Sequence, residues 1–156
     1  MSISPTGRAL RRALDGPFHD LKQRWRDEVS AADVVRAPDL GVEAARDWTL
    51  DSLTRLARRG FAIAGFPAEY GGRGTQADSV AHFEMLALGD LSLAIKGGVQ
   101  HGLYGGAVTN LGTEFHHRTF LPRAITVEDG GCFAMTELGH GSDVQSLETL
   151  ITFLPA

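Results

Sequence analysis

The sequence predicts a mainly α fold that gives way to strands near its C-terminal end, and three observations carry that prediction. Apolar residues recur every three to four positions over most of the chain. Gly and Pro fall between those runs rather than at random, where helices would stop and start. After residue 129 the period shortens from 3.6 to 2, the spacing of a strand.

Taken in order, residues of about 7–14 and 18–29 read as short amphipathic helices, with Leu21, Trp25 and Val29 on one stripe that needs a partner surface. A longer helix of about 41–59 follows Pro38. It turns Leu50, Leu53, Ala57 and Phe61 inward and sets Asp51 and Arg55 at the spacing of an ion pair. Arg58 and Arg59 suit its C-terminus and Gly60 ends it. Pro67, Gly71, Gly72 and Gly74 then make a turn-rich connection. Thr75 can cap a helix of about 76–89, where Met85 and Leu88 widen the stripe of Val80, Phe83, Leu86 and Ala87 and predict a mostly buried element.

The next helix, about 92–111, contains Gly97, Gly98, Gly102, Gly105 and Gly106. Each glycine costs about 1 kcal/mol relative to alanine, so roughly 5 kcal/mol must be offset by packing or function. Gly98, Gly102 and Gly106 share one face as a shallow groove, which admits either a neighbouring helix or an extended apolar ligand. Gly112 stops this helix, Thr113 caps the next, and Pro122 is expected to kink or end that one. Residues 130–137 and 146–153 read as two strands around the loop "LGHGSDV".

Composition narrows the function classes. Fifteen basic against nineteen acidic residues give a net charge of -4, which argues against nucleic acid or an anionic membrane as the main partner. A chain of this length buries roughly 70% of its unfolded surface, enough for one domain's core. The single cysteine, Cys132, cannot form an internal disulfide; its apolar neighbours suggest a buried thiol in a reducing, cytoplasmic compartment. The N-terminal stretch with Arg8, Arg11 and Arg12 lacks an apolar run for a signal peptide or membrane span and reads as a basic helix, with a transit peptide as the alternative. His82, His101, His116 and His117 lack metal-gripping spacing, since His116 and His117 are adjacent and point apart on a helix.

The loop is rich in phosphate-friendly residues, because glycines flanking His140 expose backbone N–H groups beside the Ser142 hydroxyl. A plain tight turn explains it as well. It is not a dinucleotide fingerprint, since Val144 stands where glycine is needed, nor a nucleophile elbow centred on Ser142.

"CFAMTELGHGSD" following "LGTEFHHRTFLPRA", with "FPAEYGG" upstream, resembles the acyl-CoA dehydrogenase and acyl-CoA oxidase superfamily from about Phe61 to Thr149. The resemblance implies a helical N-terminal domain over residues 1–128 and the start of a truncated central β-domain over 129–156. It implies FAD as cofactor, held by Phe133, Ala134, Met135, Thr136, Glu137, Leu138, Gly139, His140, Gly141 and Ser142. In that reading Thr136 holds the isoalloxazine ring, Met135 and Thr136 offer backbone N–H groups to it, and Ser142 contacts the pyrophosphate near the CoA arm. Acyl-CoA is the implied substrate, bound by Ser142 with Gly98 and Gly102 of the groove helix. The implied reaction introduces an α,β double bond into the thioester, as in fatty-acid β-oxidation.

Most dehydrogenases of this family carry proline and alanine where this chain has Leu138 and His140, and "TELGHGS" is similar to the oxidase branch. Asp143 is dehydrogenase-like, so the electron acceptor stays open. No catalytic base is assigned. Its position in the family lies in a C-terminal helical domain, whereas Glu84 reads as a helix-packing residue and Glu137 as a structural one. The chain therefore reads as a fragment, not active alone, which a complementing chain or homo-oligomer would complete. The alternative is a non-catalytic helical interaction module or a truncated gene product.

Overall fold

The computed structural model describes residues 3–61, 63–73 and 75–154. Gly74 of the turn-rich connection and both ends of the chain lie outside them. Eight α-helices follow one another: α1 Pro5–Asp15, α2 His19–Glu28, α3 Ala31–Val34, α4 Val42–Arg58, α5 Gln76–Gly89, α6 Leu91–Gly97, α7 Gly106–Leu111 and α8 Glu114–Ile125. A π-helical stretch, Gly98–Gly105, joins α6 to α7 into one continuous rod. The expected helices are thus present within a few residues of their expected ends. The short α3 was not foreseen, although Ser30 and Asp33 form a capping box that is legible in the sequence.

The core forms where six of these elements meet. Helix α5 packs on α2 and α6, α4 packs on α6, and α8 packs on the π-helical stretch. Leu53, Leu56, Phe61, Leu93 and Leu121 have no exposed surface, and Trp25 is nearly as buried. Trp25 meets Phe61 edge to face at 4.7 Å between ring centroids, a geometry that aromatic quadrupoles favour. Its indole N–H donates to Nδ1 of buried His82, which leaves that imidazole neutral with its proton on Nε2. Burial pushes the His82 pKa down to about 4.

Polar clasps tie the helices together. Arg26 donates to both oxygens of Asp15 at 2.7 and 2.9 Å, and that bidentate bond holds the Asp15 carboxyl at about 2. Buried Lys22 donates to Glu84 at 2.7 Å, joining α2 to α5, so Glu84 is the helix-packing residue expected. Gly60 takes a φ of 82° and closes α4 with Phe61 N–H donating to Leu56 and Gly60 N–H to Ala57, a Schellman ending that glycine adopts without strain. Helix α8 ends in the same way, Glu128 N–H donating to Arg123 and Val127 N–H to Ala124. There the left-handed position belongs to Val127, at φ 63°. A β-branched residue in that region stores strain of order 1–3 kcal/mol, tolerated where its surroundings hold it, and Val127 is packed into the core.

Several expectations are corrected. Leu50 is 44% exposed, and fully buried Leu56 takes the inward place beside Leu53. Arg55 donates to Ser52 rather than pairing with Asp51. Helix α5 is not mostly buried: Val80 and Leu88 are about as open as Leu91, because α2 and α6 cover only the side that carries Ala81, His82 and Leu86. Thr75 occupies the N-cap of α5 without bonding a helix N–H; its hydroxyl donates to Asp78 instead. Pro122 neither ends nor interrupts α8, which runs on to Ile125. Cys132 is exposed.

The two expected strands, 130–137 and 146–153, are not paired. Among the described residues the sole β-type pairing is an isolated bridge between Glu137 and His140. Alternating residues supply the pattern, but a strand needs a neighbour to satisfy its backbone, and two short segments alone are marginal in water.

Candidate functional site

The glycines of the rod meet two different surroundings. Gly97 packs against Leu86 and Leu53, and the ring of Phe66 lies so near Gly105 that an added Cβ would come within 2.5 Å of it. Gly102 is different, with nothing within 4 Å of where a Cβ would stand. Beside it a cavity of about 290 Å³ opens between α5 and the rod, lined by Phe83, Leu86, Gly98, His101 and Gly102 among others. A smaller one of about 100 Å³ continues past Phe66, His101, Gly102 and Gly106. Gly98 and Gly102 therefore border one largely apolar slot, and Gly102 and Gly106 the smaller, more polar one. A larger cavity, about 670 Å³, lies between α4 and α6 and shares no lining residue with this slot.

Sequence reasoning missed the π-helical register and two side chains of that rod. His101 borders both cavities. Its Nε2–H donates to the Ile125 carbonyl at 3.3 Å, while Nδ1 is buried without a hydrogen-bond partner among the described residues. Burial pushes its pKa down to about 4, so the ring is neutral at pH 7. Gln100, on the other side of the rod, has no exposed surface and donates to the carbonyls of Ala124 and Asp129 at 3.0 and 2.8 Å. The signal in the sequence was faint: a polar pair inside an otherwise small and apolar helix. π-helical insertions are found mostly at functional sites.

Residues 133–142 follow a short loop after α8. Phe133 and Met135 are about half exposed, and Leu138 is fully so. The Thr136 hydroxyl, the backbone N–H groups of Met135 and Thr136, and the Ser142 hydroxyl have no partner among the described residues. Glu137 is engaged within the loop. Its carboxylate accepts from Thr149 N–H at 2.9 Å, Glu148 N–H at 2.7 Å, His140 Nε2 at 3.0 Å and the Thr149 hydroxyl. The Thr149 hydroxyl and the Glu148 N–H hold this carboxyl down to about 2. The loop is thus closed by one carboxylate that ties its beginning to its end, with Ser146 donating to Asp143 at 2.6 Å between them.

Among the described residues no cluster of His, Cys, Asp and Glu could hold a metal ion, and no helix is long and apolar enough to cross a membrane. His116 belongs to the capping box of α8 with Thr113, and the His117 ring meets that of Tyr70 at a tilt, 5.7 Å between centroids.

Comparison with known proteins gives the family. The family model of the acyl-CoA dehydrogenase N-terminal domain matches residues 21–128. The chain is 34% identical to the peroxisomal acyl-coenzyme A oxidase 2 of Arabidopsis thaliana, over 98% of this chain and 22% of that protein. It is 37% identical to peroxisomal acyl-coenzyme A oxidase 3 of the same plant, over 73% of the chain and 17% of the relative. Acyl-coenzyme A oxidase 3 of Yarrowia lipolytica is 32% identical over 78% of the chain and 17% of its own length. The chain thus spans about a fifth of the length of these relatives. On these matches, the chain belongs to the acyl-CoA dehydrogenase N-terminal domain family.

Proposed function

We propose that this chain forms the N-terminal helical part of an FAD-dependent enzyme that oxidises acyl-CoA thioesters to their α,β-unsaturated forms. The observation that carries the reading is the juxtaposition on one rod: an apolar slot opened by Gly98 and Gly102 on one side, and the anchoring of the loop that leads to residues 133–142 on the other. An acyl chain fits the slot, since it needs apolar walls and close backbone approach but no polar partner.

The donor set of residues 133–142 fits a flavin. FAD, when bound, supplies the hydride acceptor for the β-carbon. The open N–H groups of Met135 and Thr136 would hold the pyrimidine edge of the ring, and the Thr136 hydroxyl would fix its orientation. The Ser142 hydroxyl and the N–H groups near Gly139 and Gly141 would hold the pyrophosphate. Preorganised donors of this sort stabilise negative charge where it develops. Glu137, with its carboxylate occupied inside the loop, holds the loop's shape, and His140 serves the same clasp. Neither Glu84, paired with Lys22, nor Glu137 is free to abstract a proton, and no base is assigned to this chain.

The relatives' names favour the oxidase branch, with oxygen as electron acceptor, as the Leu138 and His140 loop does. Two of those names also favour a peroxisomal address over the cytoplasmic one expected from the sequence.

Titration of the chain with FAD, followed by flavin absorbance and fluorescence with and without a long-chain acyl-CoA, tests the reading. Saturable quenching that a Thr136→Ala, Ser142→Ala variant loses is the expected result. Identical titrations for both proteins would refute the assignment of the loop.

A further inference from the structure

The glycine rod and the loop ahead of residues 133–142 meet through a single buried side chain. We infer that Gln100 is a positioning residue that fixes the entry of the flavin-binding segment relative to the acyl slot, an inference that rests on the functional reading above. All of its hydrogen-bonding groups face the same connection. Its amide N–H groups donate to the Ala124 and Asp129 carbonyls, at the end of α8 and just beyond it. Its Oε1 accepts from the Gly131 N–H at 2.9 Å.

One turn along the rod, the Tyr104 ring presses on the same residue; a Cβ at Gly131 would stand 2.0 Å from that ring. Gln100 and Tyr104 thus hold Gly131 from the rod, by a hydrogen bond and by shape, two residues before Phe133. The opposite side of this π-helical stretch is Gly98 and Gly102, the wall of the slot. A buried amide with its partners satisfied specifies one geometry, since any other leaves polar groups unpaired. The connection between slot and segment is therefore set by Gln100, and a displacement of the rod by a ligand is passed to Gly131 directly.

The test is hydrogen exchange of individual amides by NMR on the 156-residue chain. In the unsubstituted protein the Gly131 amide is expected to exchange slowly. Gln100→Met should accelerate it by about tenfold or more, the size expected of one hydrogen bond to a buried group, while Leu121 and Ala124 keep their protection. Gln100→Glu supplies a readout that simple destabilisation would not give. Buried carboxyls are neutral well above their usual range, so at pH 5.5 this variant keeps an O–H for the Ala124 or Asp129 carbonyl and should protect Gly131. By pH 8 an ionised carboxylate facing those two carbonyls should be expelled and the protection lost, a dependence that Gln100→Met should not show once intrinsic exchange is corrected. Gly131→Ala approaches the contact from the loop: its methyl would overlap the Tyr104 ring, so the residue 131 amide should lose its protection while the core stays intact.

Fast exchange at Gly131 in the unsubstituted chain, an unchanged rate in Gln100→Met, or retained protection of the residue 131 amide in Gly131→Ala would each overturn the inference. Should Gln100→Met not fold, the other two variants decide. Adding palmitoyl-CoA should slow Gly131 exchange further. Its failure to bind would count against the acyl slot alone and leave the Gly131 result standing.

Discussion

Two glycines three residues apart on the same rod should respond to alanine with opposite signs. At Gly102 no atom lies within 4 Å of an added Cβ, so the substitution gains helix propensity and meets nothing. That gain is about 1 kcal/mol, and it raises the melting temperature of a chain of this length by roughly 2–4 °C. At Gly105 the same gain is opposed. The new methyl would stand 2.5 Å from two carbons of the Phe66 ring and 3.3 Å from the Gln100 carbonyl, and Phe66 belongs to the buried core. Relieving the overlap requires the ring to move by more than half an ångström inside close packing, an overpacking cost of about 1–3 kcal/mol. Gly105→Ala should therefore be destabilising by up to about 2 kcal/mol after the propensity gain. Thermal and urea unfolding of both variants, followed by circular dichroism, measures the pair. A destabilised Gly102→Ala or a stabilised Gly105→Ala would show that the rod's glycines are not placed by the contacts described. If the slot holds an acyl chain, the Gly102→Ala variant should also be the one that binds it less tightly.

Two further outcomes follow from the buried polar groups. His82 and His101 each have a folded pKa near 4, below the ordinary value of 6.5. Between those values the unfolded chain binds more protons than the folded one, so stability should rise with pH from about 4 to 6.5 and level off above it. The two together contribute on the order of a few kcal/mol, measurable as a shift in urea midpoint, and a flat profile over that window would contradict the burial of both rings. Trp25→Phe keeps the aromatic packing against Phe61 but removes the donor to His82 Nδ1. Stranding that buried acceptor should cost about 1–3 kcal/mol, read as a drop in the urea midpoint.

Much of the helical organisation was legible because it depends on local physics. Apolar period, caps and stops are properties of adjacent residues, which is why α2, α4 and the rod fall where the sequence put them. The exceptions depend on what each helix meets. Val80 and Leu88 look like core residues by pattern, yet nothing covers them, since burial is decided by the neighbours of α5. The strands failed for a related reason: the pattern of 130–137 describes which faces a strand would have, while its hydrogen bonds must come from elsewhere.

The sequence by itself determined the helices, the glycine spacing of Gly98, Gly102 and Gly106, and the ordered match over residues 21–128 that places the chain in its family. These are short-range features or ordered motifs that survive without coordinates. Only the tertiary structure decided which glycines pack and which leave open space, that Glu137 is closed into its own loop, and that Gln100 joins α8, Gly131 and the rod. Those outcomes arise from contacts between residues far apart in the chain, whose partners no local pattern names.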